Sequence, residues 1–269
     1  MTNLGDHALI AKATADAAAV VFIHGIGGAA RIWQAQLTTF CAAGYTCMAV
    51  NLPGYGGRRP VQEVTFESLA EDAEATITSN GFKQVTLVGH SLGGMIAQTM
   101  LRRRPDAYRA AVLCCTSPAF GNPAGDFQKK FVADRLGPIA AGRTMNDLAP
   151  SIVDEIIGPT PDAPARARAI EIMAATPDDT YSAAIRCIIH FDERGNLANI
   201  RIPVLCLAGE HDRNAPAPMM ERMATKIPGA RYVCLPGVGH LPNLEAPKAF
   251  DAAVLELLAS AGRGTGRSP

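Results

Sequence analysis

Short apolar runs alternate with longer amphipathic segments along most of this chain. The apolar runs have the length and composition of buried strands, and they are Val20–Ile23, Cys47–Asn51, Val85–Val88, Ala110–Cys115, Val204–Leu207 and Tyr232–Leu235. A further run near Ala8–Ala13 predicts an additional strand at the edge of the sheet. The segments between the runs carry apolar residues at helical spacing, such as the stripe from Phe66 to Ile77. This alternation predicts an α/β fold, in which a mostly parallel central sheet has helices on both faces.

The strand pattern stops between Ser117 and about Asn199. This stretch is rich in Ala, Pro and Arg, and its short helical patterns are Phe127–Leu136, Ile152–Ile157, Ala165–Ala174 and Tyr181–Ile189. Its length is too great for a plain loop inside a domain. We therefore predict a helical cap, residues 117–199, inserted in an α/β core formed by residues 1–116 and 200–260. The Gly-, Ser- and Arg-rich residues 261–269 are expected to form a disordered tail.

Residues 89–93 read Gly-His-Ser-Leu-Gly, a G-x-S-x-G motif between a strand pattern and an apolar helical pattern. A sharp turn from strand to helix holds such a serine in strained backbone geometry with its hydroxyl exposed. Ser91 is therefore the candidate nucleophile. A serine at this position could alternatively serve only as the cap of the following helix.

A serine hydroxyl becomes a good nucleophile only when a positioned base accepts its proton and an acid orients that base. Asp212 and His240 each follow a predicted strand. In parallel sheets, the loops at the carboxyl ends of the strands carry the functional residues. The chain order serine, aspartate, histidine is the order of the hydrolase fold. Glu210 is an alternative acid. His24 and His90 flank glycine turns near the site, and we expect them to make structural hydrogen bonds.

The oxyanion that forms on an attacked carbonyl needs hydrogen-bond donors. A glycine-rich turn at residues 24–28, His-Gly-Ile-Gly-Gly, follows the Val20–Ile23 run and can aim the Ile26 N–H into the site. The second candidate donor is the Leu92 N–H, directly after the nucleophile. Ile26 and Leu92 are therefore the predicted oxyanion hole.

With these motifs, the sequence resembles the α/β-hydrolase superfamily from about Val20 to about Leu258. Further matching strings are Leu-Pro-Gly-Tyr-Gly at residues 52–56, Gly-Glu-His-Asp at 209–212 and Gly-His at 239–240. The chain is most similar to the group of esterases, 3-oxoadipate enol-lactonases and carbon–carbon hydrolases. The resemblance implies that Ser91 is the nucleophile, His240 the base and Asp212 the orienting acid. It also implies a helical cap over the active site.

The sequence departs from the family pattern at two positions. Asn51 stands where relatives often have Asp before the Leu-Pro-Gly turn, a change that concerns loop hydrogen bonding and not the triad. Leu241 follows the candidate histidine, where many carbon–carbon hydrolases have an aromatic residue. The second departure counts against the carbon–carbon reaction.

Composition narrows the class of protein further. The chain has 269 residues, with 25 basic and 25 acidic ones, and this zero formal charge disfavours binding to nucleic acid or to an anionic membrane. No apolar run has the length of a membrane span, and residues 1–16 lack the pattern of a secretory signal. The seven cysteines have no metal-type spacing, so we expect core packing for them and a reduced, cytoplasmic location.

The predicted activity is hydrolysis of a small carboxylic ester or lactone through an acyl-enzyme, on a small-molecule substrate and without a metal or organic cofactor. Two alternatives are a carbon–carbon bond hydrolase of aromatic degradation and a hydrolase-fold ligand receptor that does not catalyse. The sequence leaves open the substrate, the cap residues that line its pocket, and whether the chain forms a homo-oligomer.

Overall fold

The computed structural model describes residues 2–3, 6–14 and 17–263. The strands of its sheet are β1 (Thr2–Asn3), β2 (Ala8–Ala11), β3 (Ala19–Ile23), β4 (Thr46–Val50), β5 (Val85–His90), β6 (Tyr108–Cys114), β7 (Val204–Gly209) and β8 (Arg231–Leu235). Their order across the sheet is β1-β2-β4-β3-β5-β6-β7-β8. Strands β3 to β8 run parallel to one another, whereas the pairs β1–β2 and β2–β4 are antiparallel. The predicted α/β fold with a mostly parallel sheet is confirmed.

The run predicted at Ala8–Ala13 forms β2, but this strand ends at Ala11 and is not at the edge of the sheet. It pairs with β4 on one side and with the short β1 on the other. The two-residue strand Thr2–Asn3 lies outside the range of the apolar run, so the sequence pattern does not reveal it.

Helices pack on both faces of the sheet. They are α1 (Gln34–Ala42), α2 (Phe66–Ser79), α3 (Leu92–Arg103), α4 (Asp126–Ala140), α5 (Met145–Ile156), α6 (Ala163–Ala174), α7 (Asp178–Ile188), α8 (Ala217–Ala224), α9 (Pro242–Glu245) and α10 (Pro247–Arg263). Successive residues of β3 point to opposite faces of the sheet and pack against different helices. Val21 belongs to the apolar cluster that contains Leu69 of α2, whereas Phe22 belongs to the cluster with Leu37 of α1 and Phe250 of α10.

The helices α4 to α7 lie between β6 and β7, and we call them the cap helices. Helices occur at all the positions predicted for this stretch, although α5 begins at Met145 instead of near Ile152. Thr144 and Asp147 form a capping box that starts α5. Apolar side chains of the cap helices share a cluster with Leu241, which directly follows His240. The cap helices therefore pack against the loop that carries the candidate base.

Helix α10 ends at Arg263. Residues 261–263 are therefore helical, in contrast to the tail predicted from residue 261, and residues 264–269 lie outside the described residues. Among the helices of the described part of the chain, none has the combination of length and apolar composition that crossing a membrane requires.

Candidate active site

Ser91 lies in the turn between β5 and α3, in a backbone conformation that is rare for a residue with a side chain. Its φ is 52° and its ψ is −117°. Two hydrogen bonds hold the turn: the Ser91 N–H donates to the Cys114 carbonyl (2.9 Å), and the Thr116 hydroxyl donates to the Ser91 carbonyl (2.8 Å). The Ser91 side chain makes no capping hydrogen bond with α3. A strained serine whose hydroxyl does not cap its helix is typical of a functional site.

At this turn the backbone of α3 lies very close to β3 and to the segment after β6. A Cβ atom on Gly93 would collide with the carbonyl oxygen of Ile23. A Cβ atom on Gly94 would lie 2.7 Å from Cβ of Thr116, well inside van der Waals contact. Gly93 of the motif and the adjacent Gly94 are thus required by this packing.

His240 and Asp212 form a buried hydrogen-bonded pair in the loops after β8 and β7. Nδ1 of His240 lies 2.7 Å from Oδ2 of Asp212, and the carboxylate has no exposed surface. The other oxygen, Oδ1, accepts hydrogen bonds from the N–H groups of Asn214 (2.8 Å) and Ala215 (3.0 Å). Burial alone would raise the pKa of Asp212, but the charge and hydrogen bond of His240 and the two backbone donors outweigh it and lower this pKa below 3.8. The pair therefore contains a carboxylate.

Glu210, the alternative acid, lies elsewhere. Its side chain is exposed and accepts a hydrogen bond from the Gly237 N–H (2.8 Å). It contacts His211 at 3.7 Å and makes no hydrogen bond with His240. Of the two acids considered from the sequence, Asp212 is the one beside the imidazole of His240.

Ser91 and His240 line the same cavity, which has a volume of about 140 Å³. Most of its other lining residues are apolar and come from the cap helices and the loop before them; they include Phe120, Phe127, Phe131, Ile152, Ile156, Met173 and Ile185. Arg213 and Asn214 add polar groups beside His240. Phe127 is 67% exposed and its ring lies 6.5 Å from that of Phe131. The cavity suits a small molecule with an apolar portion.

Of the two predicted oxyanion donors, Ile26 lies in the turn after β3 and Leu92 directly follows Ser91. Ile26 also lines the cavity, and Leu92 is the first residue of α3. Neither N–H donates to a backbone carbonyl within the described residues. Both N–H groups are therefore available to an oxygen atom bound near Ser91.

His24 and His90 are buried rings with structural hydrogen bonds. Nδ1 of His24 donates to the Gly25 carbonyl (2.9 Å), and its Nε2 accepts from the Leu52 N–H (3.1 Å). Nε2 of His90 donates to the His240 carbonyl (2.6 Å), so this ring supports the backbone of the candidate base. Burial lowers the pKa of His24 to about 4 and that of His90 to about 3. Both rings are neutral at pH 7.

We expect acid to destabilise the protein between about pH 6.5 and pH 4. Because the pKa values of His24 and His90 are about 4 and about 3 in the folded chain against 6.5 when unfolded, the unfolded chain binds protons first as the pH falls. Stability is therefore complete above pH 6.5, and each ring removes on the order of 3 kcal/mol by pH 4. Thermal unfolding followed by circular dichroism between pH 8 and 4 measures this loss.

His24→Gln should flatten the pH dependence of the melting temperature, at the cost of a lower melting temperature at pH 7. The lowered pKa of Asp212 adds its own loss of stability in acid, but His24→Gln leaves that contribution unchanged, so the difference between the variant and the wild type reports on the His24 ring. If the wild-type protein had the same melting temperature at pH 7 and pH 4.5, the buried rings would not titrate as described.

Glu245 belongs to the family string that follows His240, but sequence reasoning gave it no role. Its carboxylate holds the loop of His240. Oε2 accepts hydrogen bonds from the N–H groups of Gly158 (2.7 Å) and Gly239 (2.8 Å), and Oε1 accepts from that of Leu241 (2.8 Å). These bonds join α9, the loop after α5 and the residues on both sides of His240. The signal in the sequence was the place of Glu245 in the family string after His240. Its role was not predicted, because Gly158 lies on a distant segment of the chain.

Cys115 was expected from the sequence to be a core residue, and it is buried, but it also lines the cavity beside His240. It follows β6 directly, has a φ of 46°, and donates its N–H to the Leu207 carbonyl (2.8 Å). Burial raises the pKa of its thiol, so Cys115 is neutral and is a poor nucleophile.

The alpha/beta hydrolase family model matches residues 20–253, and the chain belongs to this family. Its relatives include the protein named non-heme bromoperoxidase BpoC of Mycobacterium tuberculosis, 28% identical over 263 residues that cover 90% of this chain and 94% of the relative. They also include the pimeloyl-acyl-carrier-protein methyl ester esterase of Aromatoleum aromaticum, 28% identical over 249 residues that cover 88% and 95%.

Solved structures agree with the fold. A hydrolase from Pseudomonas aeruginosa PA01 matches with a TM-score of 0.83 and 26% identity, over 93% of each chain. The enol-lactonase from Burkholderia xenovorans LB400 also has a TM-score of 0.83, over 94% of this chain and 96% of its own, at 22% identity. At that identity, the second match establishes a shared fold only.

Proposed function

We propose that this hydrolase cleaves a small carboxylic ester or lactone through an acyl-enzyme on Ser91. The observation that carries the proposal is the buried His240–Asp212 hydrogen bond of 2.7 Å, on the same cavity as a strained serine with a free side chain. A nucleophile, a base and an orienting acid on one cavity are the elements of serine acyl transfer.

Each group has a defined task in the proposed reaction. Nε2 of His240 accepts the hydroxyl proton as Oγ of Ser91 attacks the carbonyl carbon, and the N–H groups of Ile26 and Leu92 stabilise the oxyanion. The imidazolium then protonates the leaving alkoxide, and an acyl-enzyme results. His240 next activates a water molecule that releases the carboxylic acid. Asp212 keeps the Nδ1–H tautomer in place throughout.

The small apolar cavity supports a short acyl group as the part of the substrate that is bound. The Aromatoleum aromaticum relative is named a methyl ester esterase, which supports ester cleavage as the reaction class. Leu241 lies in the apolar cluster of the cap helices and offers no aromatic ring after the histidine, which disfavours carbon–carbon cleavage.

The first test is hydrolysis of p-nitrophenyl esters by the purified protein. We expect turnover of the acetate and butyrate, much slower turnover of the palmitate, and activity on at least one small lactone. Bromide-dependent halogenation with hydrogen peroxide should be assayed in the same preparation, because a relative at 28% identity carries the name of a bromoperoxidase. A folded protein that is inert towards every ester and lactone, but that a ligand stabilises against heat without product, would favour the receptor alternative.

Asp212→Asn should lower kcat for the butyrate by about 10⁴-fold, because the amide no longer stabilises the imidazolium or fixes its tautomer. Glu210→Gln is the matched control, since it changes the acid two positions earlier that makes no hydrogen bond with His240. We expect Glu210→Gln to retain kcat within a few-fold. Steady-state kinetics of both variants at pH 8 decide between the two acids, and the reverse result would assign the orienting role to Glu210.

A further inference from the structure

Three potential metal ligands meet in the candidate active site. Cys115, Asp212 and His240 follow β6, β7 and β8, and the carboxyl ends of these neighbouring parallel strands bring them together. Their donor atoms all lie within 4.8 Å of one another, and all three side chains are buried. The mechanism proposed above uses only the aspartate and the histidine, so it leaves the thiol without a role.

We propose that Cys115, Asp212 and His240 form a binding site for Zn²⁺, and that the bound ion switches off the proposed hydrolase. Thiolate, imidazole and carboxylate are the ligands that zinc takes in proteins. Cys115 and Asp212 each contribute one negative charge when they bind the ion. The site is then neutral overall, which a buried location favours.

The distances between the three donor atoms differ from those of a zinc site by an amount that a small local movement can remove. Zn–S, Zn–N and Zn–O bonds of roughly 2.0–2.3 Å place tetrahedral ligands about 3.5 Å apart. The spread of 4.8 Å among the donor atoms must therefore contract by about 1 Å. The His240–Asp212 pair, now at 2.7 Å, must open by less than that to admit the ion. The cavity provides a path, because Cys115 and His240 both line it.

Metal binding would remove the base from the reaction. When Nδ1 of His240 binds Zn²⁺, the imidazole proton moves from Nδ1 to Nε2, and the thiol of Cys115 releases its own proton to solvent, so one proton is released in total. A neutral imidazole with its proton on Nε2 cannot accept the proton of Ser91. This inhibitory consequence rests on the proposed function, whereas the binding of the metal does not.

Cobalt serves as the spectroscopic probe of the metal site, because Co²⁺ takes the same ligands as Zn²⁺ and absorbs visible light. Titration of the reduced full-length chain with Co²⁺ should produce a thiolate-to-metal charge-transfer band and the d–d bands of a four-coordinate ion. Added Zn²⁺ should bleach both. This readout needs no enzymatic activity, so it can fail or succeed independently of the hydrolase proposal.

Cys115→Ser and Cys115→Ala should lose the charge-transfer band and at least about 10-fold in Co²⁺ affinity. Cys47→Ala is the matched control, since Cys47 is equally buried but lies on β4. That control should keep the full spectrum. His240→Gln should weaken Co²⁺ binding to a similar degree as the Cys115 variants. Far-ultraviolet circular dichroism establishes that each variant is folded, and two substitutions at Cys115 guard against the failure of one.

Two results would overturn the proposal. The first is an unchanged spectrum and affinity in folded Cys115 variants. The second is loss of the band in Cys114→Ala and Cys115→Ala but not in His240→Gln, which would mean that the two adjacent thiols hold the metal alone. If the wild-type protein hydrolyses esters, micromolar Zn²⁺ should inhibit it, and Cys115→Ala should be at least about 10-fold less sensitive.

Discussion

Replacing Ser91 with alanine should lower kcat for ester hydrolysis by about 10⁵-fold or more, with little change in the fold. The reason is that the acyl-enzyme has no other attachment point, and removal of the nucleophile of a triad typically costs about 10⁵–10⁶ in kcat. The Ser91 side chain makes no capping hydrogen bond, so its loss should leave the turn and α3 in place. Steady-state kinetics with p-nitrophenyl butyrate and a thermal melt of each protein measure the two quantities.

Ser117→Ala is the control for this experiment. Ser117 lines the same cavity, but its hydroxyl donates to the Ala119 carbonyl (3.0 Å) and has no part in the proposed chemistry. Its kcat should stay within about 10-fold of the wild type, since removal of a single structural hydrogen bond has a small effect. Equal activities of Ser91→Ala and wild type, or equal losses in both serine variants, would contradict the assignment of Ser91 as nucleophile.

Gly93→Ala should destabilise the protein severely, by about 4 kcal/mol or more, or prevent it from folding. The added methyl group would collide with the carbonyl oxygen of Ile23, and its position would also lie 2.7 Å from the carbonyl oxygen of His24. The first oxygen belongs to strand β3 of the central sheet, and the second belongs to the turn that follows β3. Neither can move without separating α3 from β3. Urea unfolding monitored by circular dichroism measures the change in the free energy of unfolding.

Gly137→Ala is the matched control for the glycine. Gly137 lies within α4, and a Cβ atom there would meet no neighbouring atom within 4 Å. Alanine is preferred to glycine inside a helix, but a Cβ on the residue before Pro138 opposes that gain, so we expect a change of less than about 1 kcal/mol in either direction. A Gly93→Ala protein that unfolds at the same urea concentration as the wild type would contradict the close approach of α3 to β3.

The sheet was predictable because its central strands are buried on both faces. In β5 and β7 every residue is buried, and such strands appear in the sequence as continuous apolar runs that end in glycine or polar turns. The strand-to-helix turn at Ser91 was also predictable, because its glycines lie between the apolar run of β5 and the apolar helical pattern of α3.

The cap helices were less predictable, because proline and tertiary contacts obscure their boundaries. The predicted helical pattern for α5 began at Ile152. Pro150 lies two residues before it, and proline usually interrupts a helix. In the structure, Pro150 lies inside α5, and the helix begins at Met145, after the capping box of Thr144 and Asp147. A capping box is short and common in sequence, and on its own it does not determine where a helix begins.

The candidate site was predictable in its residue types but not in its surroundings. The order of Ser91, Asp212 and His240 along the chain identifies three loops at one edge of a parallel sheet. The hydrogen bonds of Glu245 and the position of Cys115 depend on how those loops pack against the cap helices. That packing joins residues such as Gly158 and Glu245, which are 87 positions apart, and no local pattern records it.

The most direct test of the central claim is labelling by an alkyl fluorophosphonate, which forms a stable adduct with an activated serine. We predict that one equivalent of label binds, that hydrolysis of p-nitrophenyl butyrate falls in proportion, and that peptide mass spectrometry locates the label on Ser91. Ser91→Ala should take up no label. Persistent hydrolysis without labelling, or a label on Cys115 or another residue, would contradict acyl transfer through Ser91.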